Sequence, residues 1–182
     1  MSKLFSRIDA WDRSAMAWVV PRRRDLMTKI LRLYTASGTG RAWLILAAVF
    51  GISQLLGWAW VPEQEPFFRS MVAAVLAWAL GSVAKRVFRR PRPFETMTGY
   101  ETKTKLPTCR SFPSSHAASS VAFATTLLLI HHPLAPEVAL WAALVTYSRY
   151  YLGVHYPTDL FGGVVFGIVC GAGLGPLLFI LS

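Results

Sequence analysis

Apolar residues occur along this chain in long runs. Two of them, residues 42–61 and 160–181, contain no Asp, Glu, Lys or Arg. A helix of about 20 apolar residues crosses a bilayer, so each run is long enough to span it. Three weaker runs, 67–84, 117–130 and 134–147, contain at most one charged residue each and are interpreted as shorter or tilted spans. The pattern predicts an all-α integral membrane protein, with a soluble helical core as the alternative, because shorter apolar runs are ambiguous.

Short linkers at 62–66 and 131–133 predict that the adjoining spans are antiparallel neighbours. Residues 1–41 contain nine Lys or Arg and three Asp among apolar positions, which predicts two amphipathic helices on the membrane surface, divided at Pro21. The alternative for this region is one further, poorly hydrophobic span. We therefore predict a bundle of about five to six transmembrane helices, preceded by interfacial helices, in a single domain covering residues 1–182.

The polar segments converge on one face if the five apolar runs are the spans. That face would hold 18 of the 19 Lys and Arg residues, within a chain of net charge +10. The segment 85–114 is the longest polar connection, with eight Lys or Arg and two Glu, and loops of this length in compact domains are usually functional or disordered. We predict that 85–114 is the active-site loop.

Small residues recur in the last span. Gly163, Gly167, Gly171 and Gly175 are spaced four residues apart and form a stripe that permits close helix contact. Packing against another span of the same chain is the favoured interpretation, and a homodimer contact is the alternative.

Three motifs on the polar face contain the candidate catalytic and binding residues: Lys85 with Arg92, then residues 113–116, then residues 148–159. Arg92 and Arg149 can each hold phosphate oxygens through two parallel hydrogen bonds, and Lys85 adds a compact positive charge. Three cations would offset most of the charge on a phosphoryl group during transfer. The motifs therefore predict an anion pocket.

Ser114 and Ser115 stand just before an apolar run. A serine at this place caps a helix, whose free backbone N–H groups then face an anion. We predict that this helix start cradles the phosphate.

His155 lies two residues before Pro157, and proline favours the first position of a helix. Asp159 would then lie in the first turn, where its carboxylate can fix the tautomer of the imidazole, as an aspartate does in a serine hydrolase triad. The other ring nitrogen is free to attack phosphorus. His116, on a separate segment, is the predicted general acid, since histidine titrates near neutrality.

Plainer interpretations exist for these residue types, since histidines occur as polar interfacial residues and arginines as snorkelling anchors. We assign His131 and His132 to that interpretation. No metal site is predicted, because the carboxylates near the pocket (Asp159, Glu95 and Glu101) are too few for a magnesium or two-metal centre.

In order and spacing, the motifs resemble the type-2 phosphatidic acid phosphatase superfamily of membrane lipid phosphatases. The resemblance implies that His155 is transiently phosphorylated, that Asp159 supports it and that His116 protonates the leaving oxygen. It also implies a set of residues that hold the phosphoryl oxygens, without metal or cofactor: Lys85, Arg92, Ser114, Ser115 and Arg149. Ser115 stands where the family often has glycine, and its backbone N–H survives the change.

The resemblance further implies hydrolysis of a phosphate or diphosphate monoester on a membrane lipid, of the undecaprenyl diphosphate, phosphatidate or phosphatidylglycerophosphate type. The architecture resembles compact bacterial members that act on undecaprenyl diphosphate. A lipid A type phosphotransferase would share every catalytic residue and is one alternative. A non-catalytic basic protein that binds acidic lipids is another. The favoured interpretation, a lipid phosphatase, predicts no nucleic acid partner.

Charge bias and resemblance disagree about the side of the membrane. The positive-inside rule would place the basic face in the cytoplasm, whereas the resemblance implies an outward-facing site in bacteria. An anion site is basic wherever it faces, so we favour the bacterial inner membrane with a periplasmic site.

Overall fold

The computed structural model describes residues 3–58 and 64–180, without the side chains of residues 54, 64 and 174–180. These segments are all-helical, as predicted, and contain no strand. Eight α-helices and one short 3₁₀ helix make them up: α1 (Lys3–Val19), the 3₁₀ helix (Val20–Arg22), α2 (Asp25–Ser37), α3 (Gly40–Leu55), α4 (Gln64–Phe88), α5 (Pro93–Thr96), α6 (Ser115–Leu129), α7 (Ala135–Tyr151) and α8 (Pro157–Ile180).

Each of the five apolar runs coincides with a helix, but their lengths differ from the prediction. The run 42–61 was expected to be helical throughout, whereas α3 ends at Leu55. Gly57 follows with a φ of +67°, a left-handed conformation in which glycine commonly terminates helices. Residues 59–63, including the first two of the predicted linker 62–66, lie outside the described residues, and the last three linker residues belong to α4 instead.

Only one continuous stretch of the described chain, Glu65–Thr96, is by itself long and apolar enough to cross a membrane. Asp25–Ser37 and Gly40–Ser53 satisfy the same criterion only as a pair, bent by 51°. Ser115–Leu129 and Pro157–Gly173 are shorter apolar helices.

The amino-terminal region forms two helices separated at Pro21, as predicted. Their inward faces pack against the residues around the start of α8, in a buried cluster: Met16, Val19, Leu31, Tyr151, Leu152 and Tyr156. The opposite side of α1 exposes large apolar side chains, including Leu4, Phe5 and Trp11. Residues 3–41 are therefore tied to the end of the bundle that holds the polar motifs.

The glycine stripe of α8 packs against α6. A Cβ atom added at Gly163, Gly167 or Gly171 would lie 2.6–2.7 Å from a backbone carbonyl oxygen of that helix or its N-cap. The surroundings of Gly175 cannot be given in the same way, because the side chains of residues 174–180 are not described. Because three glycines of the stripe already make an intramolecular contact, a homodimer would have to use a different surface from theirs.

Candidate active site

Helix ends place the predicted site residues together at one end of the bundle. Lys85 lies in the last turn of α4 and Arg149 in the last turn of α7. Arg92 is the N-cap residue of α5, and Asp159 lies in the first turn of α8. His155 lies in the short connection between α7 and α8. Residues separated by up to 74 positions in the sequence (85 to 159) thus meet because neighbouring helices are antiparallel.

His155 is 2% exposed, and its hydrogen-bond partners define its tautomer. The Nε2 atom lies 3.2 Å from Nη1 of Arg92. A guanidinium group can only donate, so Nε2 must hold the lone pair and Nδ1 the proton. Nδ1 faces Oδ2 of Asp159 at 3.6 Å. This is the tautomer that a histidine nucleophile requires, with the attacking nitrogen unprotonated.

The surroundings of His155 disfavour its charged form. Burial, and then the positive charges of Arg92, Lys85 and Arg149, lower the pKa of His155 well below its ordinary value. The imidazole is therefore neutral at pH 7, as nucleophilic attack demands.

Ser111 is a site residue that sequence reasoning missed. Its hydroxyl donates a short hydrogen bond to Oδ2 of Asp159, and its Oγ atom lies 3.5 Å from Nδ1 of His155. Because its proton is given to Asp159, Oγ can accept from Nδ1–H, so the serine links the histidine to the carboxylate. A lone serine in a polar loop gives no local signal of such a role.

Asp159 is fully buried and uses both carboxylate oxygens. Oδ2 also accepts from the backbone N–H of Tyr156 at 2.8 Å. Oδ1 accepts from Nη1 of Arg90 at 2.9 Å. Arg90 is a second contact that sequence reasoning missed, because five arginine or lysine residues lie between 85 and 92 and nothing local distinguishes this one.

Arg92 and Lys85 are buried, and their donors are engaged by the loop that precedes α6 and, for Arg92, also by the connection between α7 and α8. The Arg92 guanidinium donates to the carbonyl oxygens of Cys109 (2.7 Å), Arg110 (3.1 Å) and Val154 (2.6 Å). Lys85 Nζ donates to the carbonyl oxygen of Ser111 at 3.1 Å and makes a short bond to that of Pro113. In this structure the two cations therefore shape the loop, and a phosphoryl group has to compete with carbonyl oxygens for Arg92.

Arg149 and Ser115 have unpaired polar atoms. Arg149 is 5% exposed, and its Nη1 donates to Oγ1 of Thr35 in α2 at 2.5 Å. Among the described residues, Arg149 Nε and Ser115 Oγ are buried without a hydrogen-bond partner. Buried polar atoms are normally satisfied, because leaving them unpaired costs free energy. Arg149 lines an open cavity together with His116, whereas Ser115 Oγ faces α4, 3.5 Å from where a Cβ atom on Gly81 would lie.

The helix start predicted at residues 113–116 is present. Ser114 is the N-cap of α6, and its side chain accepts from the backbone N–H of Ala117 at 3.5 Å. Its own N–H donates to the carbonyl oxygen of Asp159 at 3.0 Å, which ties the start of α6 to the first turn of α8. The phosphate-cradle prediction is compatible with this geometry.

His116 is half-buried and, with Arg149, lines an open polar cavity of about 630 Å³. The remaining walls are supplied by α2, the turn after it and residues 102–107, and they include Arg32, Thr35 and Lys105. His155 is not part of these walls, since Arg92 and the loop carbonyls cover it.

His131 and His132 follow α6 at its far end, away from the other motifs. Their assignment outside the site is thus supported by where the helix ends.

A helical bundle that gathers a neutral buried histidine, a buried aspartate and several buried cations at one end has the architecture of a membrane phosphatase. The chain belongs to the PAP2 superfamily, whose family model matches residues 67–178. The resemblance drawn from the motifs is thereby confirmed, and the chain is a phosphatase of that superfamily.

Named relatives agree with this assignment. A Mycobacterium tuberculosis protein named decaprenylphosphoryl-5-phosphoribose phosphatase is 33% identical over 172 residues, which cover 88% of this chain and 88% of that protein. A Sulfolobus acidocaldarius protein named undecaprenyl-diphosphatase is 37% identical over 103 residues, covering 53% of this chain and 48% of that protein. The crystal structure of a transmembrane PAP2 type phosphatidylglycerolphosphate phosphatase from Bacillus subtilis has the same fold, with a TM-score of 0.73 at 20% identity, covering 97% of this chain and 88% of that one.

Proposed function

We propose that this protein removes a phosphate group from a membrane lipid, of the polyprenyl-linked phosphate or diphosphate class, through a phosphohistidine formed on His155. The observation that carries the proposal is the neutral, buried His155, whose Nε2 lone pair is directed at Arg92 and whose Nδ1–H faces Asp159. The polyprenyl class is favoured because the two named relatives act, by their names, on decaprenyl and undecaprenyl lipids.

In the first step, Nε2 of His155 attacks phosphorus while the bond from phosphorus to the leaving oxygen breaks. With the negatively charged phosphoryl group beside it, His116 is protonated, and it gives this proton to that oxygen, which belongs to the lipid alcohol or, in a diphosphate, to the remaining lipid phosphate. The phosphorylated imidazole gains positive charge, which Asp159 offsets through Ser111 and across the 3.6 Å gap to Nδ1. Hydrogen bonding to Asp159 thus stabilises the intermediate more than the resting state.

In the second step, water attacks the phosphohistidine, and His116, now neutral, takes the proton from that water. Inorganic phosphate leaves and His155 recovers its lone pair. A lipid phosphotransferase would differ only in using an acceptor lipid in place of water.

Side-chain cations supply the charge compensation in this mechanism. Arg149 Nε pairs with a phosphoryl oxygen, and Ser115 contributes its backbone N–H at the start of α6. The Arg92 N–H that faces His155 donates to the substrate instead once the substrate is bound. Lys85 holds the loop and adds its charge to the pocket. These groups are suited to stabilise the transition state without a metal ion, and activity in the presence of a chelator would test this point.

The headgroup of the substrate enters the polar cavity, next to His116 and Arg149. Ala36 lines that cavity, and the next residue, Ser37, lines an apolar cleft of about 340 Å³ whose aromatic walls include Trp43, Phe123 and Trp141. A prenyl chain suits such a cleft, because ligand pockets of a few hundred Å³ with apolar walls hold apolar groups well.

The same proposal includes the membrane arrangement. Helices α3, α4, α6, α7 and α8 cross the bilayer as one domain, and α1 lies at the interface with Leu4, Phe5 and Trp11 in the lipid. Active-site loop 85–114 and residues 1–41 then share one face, placed on the periplasmic side of the inner membrane.

Purified protein in detergent tests the function with a panel of phosphorylated lipids: undecaprenyl diphosphate, decaprenylphosphoryl phosphoribose, phosphatidate, phosphatidylglycerophosphate and lipid A. We expect phosphate release from the polyprenyl substrates, unchanged by chelator, and none from His155→Ala. His131→Asn is the matched control, because His131 is an exposed histidine at the other end of α6 and asparagine tolerates its positive φ.

Release of phosphate by His155→Ala at the wild-type rate would refute the proposed mechanism. Release only from phosphatidate or lipid A would refute the polyprenyl class. Transfer of label to an added lipid without free phosphate would identify a phosphotransferase instead.

A further inference from the structure

An aspartate in the amphipathic helix α1 is fully buried. Asp12 is 0% exposed, although it lies in a helix whose charged residues mostly face outward. Its Oδ1 accepts from the backbone N–H of Thr158 at 3.1 Å, and its Oδ2 accepts from the Thr158 hydroxyl. Burial of a carboxylate is costly unless the charge is paired, so the buried Asp12 requires a cationic partner.

The partner is Arg90, which bridges two buried carboxylates. Its Nη2 donates to Oδ2 of Asp12 at 2.6 Å, and its Nη1 donates to Oδ1 of Asp159 at 2.9 Å. The guanidinium group also lies over the ring of Tyr156, 4.4 Å from its centre. Burial acts to lower the pKa of Arg90, but the charges of Asp159 and Asp12 outweigh it and the pKa is raised. Arg90 is thus a fixed cation between α1 and α8.

We propose that Asp12 and Arg90 are positioning residues for the reaction, and that α1 is thereby part of the catalytic machinery. This inference rests on the proposed function, because it assigns Asp12 a role in stabilising phosphorylated His155. Asp12 lies outside residues 67–178, the part matched by the family model.

Charge balance is the first reason. Arg90 alone would neutralise Asp159 and leave little negative charge to stabilise a positively charged imidazole. Asp12 compensates Arg90, so the group of two carboxylates and one guanidinium keeps a net charge of about −1, by formal charges at pH 7. The negative charge needed beside His155 therefore depends on a residue of α1.

Orientation is the second reason. Arg90 holds Oδ1 of Asp159, so Oδ2 is left to face Ser111 and His155. The planar fork of a guanidinium can hold two carboxylates in fixed directions, which the single ammonium group of a lysine cannot. Arg90 is itself fixed by Asp12 on one side and by the ring of Tyr156 on another.

A purely structural role predicts a different result. In that case Asp12 would only cap the start of α8 through Thr158 and anchor α1, and its loss would reduce the amount of folded protein without changing the chemistry of His155. Kinetic constants and the pH profile of the folded fraction separate the two explanations.

The test compares Asp12→Asn with Asp9→Asn in the full-length protein. Asp9 lies one turn earlier in α1 and pairs with Arg13 while half-exposed, so the control removes the same charge from the same helix. We expect Asp12→Asn to lower kcat by about tenfold or more, because the loss of one unit charge from a partly buried site changes the stability of a nearby cation by that order. KM should change little, and Asp9→Asn should behave like the wild type.

The acid limb of kcat/KM gives the second readout. The charged and titratable groups that face His155 come from five elements: Lys85 of α4, Arg92 at the start of α5, His116 of α6, Arg149 of α7 and Asp159 of α8. Loss of the Asp12 charge makes this surrounding more positive, so the pKa of His155 falls further and the acid limb moves to lower pH. Loss of folded protein alone would leave the limb in place.

Arg90→Lys keeps the cation but loses the fork that reaches both carboxylates, and it provides the test if Asp12→Asn does not fold. We expect a similar loss of kcat. Wild-type kcat and an unmoved acid limb in Asp12→Asn, or wild-type kcat in Arg90→Lys, would overturn the inference. Absence of phosphate release from the wild type would instead refute the proposed function, so the two failures are distinguishable.

Discussion

The contact between α6 and α8 offers a sharp test of how packing determines activity. A Cβ atom at Gly167 would lie 2.6 Å from the carbonyl oxygen of Ala118 and 2.8 Å from Cβ of Val121. Ordinary contacts of this kind begin near 3.4 Å, so Gly167→Ala must separate the two helices by about 0.8 Å, the difference between 3.4 and 2.6 Å. Neither obstacle is the flexible end of a side chain.

The displacement would reach the proposed catalytic residues. The start of α6 is tied to the first turn of α8 by the Ser114 N–H bond to the carbonyl oxygen of Asp159, and Ser114 and Asp159 flank the site. Misplacement by about 1 Å can cost roughly 100-fold in rate, and overpacking a well-packed contact costs typically about 1–3 kcal/mol of stability. We expect Gly167→Ala to lower kcat/KM by about 10- to 100-fold and to lower the melting temperature.

Phosphate release from the preferred lipid and thermal unfolding in the same detergent measure these effects. Gly173→Ala is the matched control, because it makes the same change in the same helix where, apart from the helix's own backbone, no heavy atom of the described residues lies within 4 Å of the new Cβ. It should retain activity and can gain up to about 1 kcal/mol of helix stability. Equal activity and stability of Gly167→Ala and Gly173→Ala would refute the packing argument.

Three further predictions concern the site itself. Thr35→Val removes the acceptor of Arg149 Nη1. Because a hydrogen bond to a charged group contributes about 1.5–3 kcal/mol, KM should rise about tenfold or more. An unchanged KM would exclude Thr35 from substrate binding. Ser111→Ala breaks the link between Asp159 and His155 and should lower kcat about tenfold; an unchanged kcat would show that Asp159 acts on His155 without Ser111. The acid limb of kcat/KM should lie below the ordinary histidine pKa of about 6.5, because burial and then the nearby cations lower the pKa of His155 and keep it neutral as the pH falls. A limb at or above that value would contradict the assigned environment.

Local signals in the sequence were enough to place two helix starts. Pro157 begins α8 and Ser114 caps α6, as proline and serine preferences indicate. From these two positions the approach of Asp159 to His155 could be predicted, because a carboxylate in the first helical turn reaches back toward the residue before it. The all-helical fold followed from the apolar runs.

Long-range contacts could not be predicted in this way. The roles of Ser111, Arg90 and Asp12 depend on how loop 85–114 folds back and on where α1 packs, and neither is encoded by local pattern. The same reason explains Arg92, expected as a phosphate clamp but found bonded to loop carbonyl oxygens. The helix predicted from hydrophobic composition alone was also longer than α3, because the apolar run includes Gly57, where the helical conformation has ended.

Direct detection of the phosphorylated residue tests the central claim. Rapid acid-free quenching of the enzyme during turnover of a phosphate-labelled polyprenyl substrate, followed by peptide mass spectrometry, locates any covalent phosphate. The account predicts an alkali-stable, acid-labile phosphoramidate on His155, absent from His155→Ala. Label on a different residue, or steady phosphate release with no labelled histidine at any quench time, would contradict it.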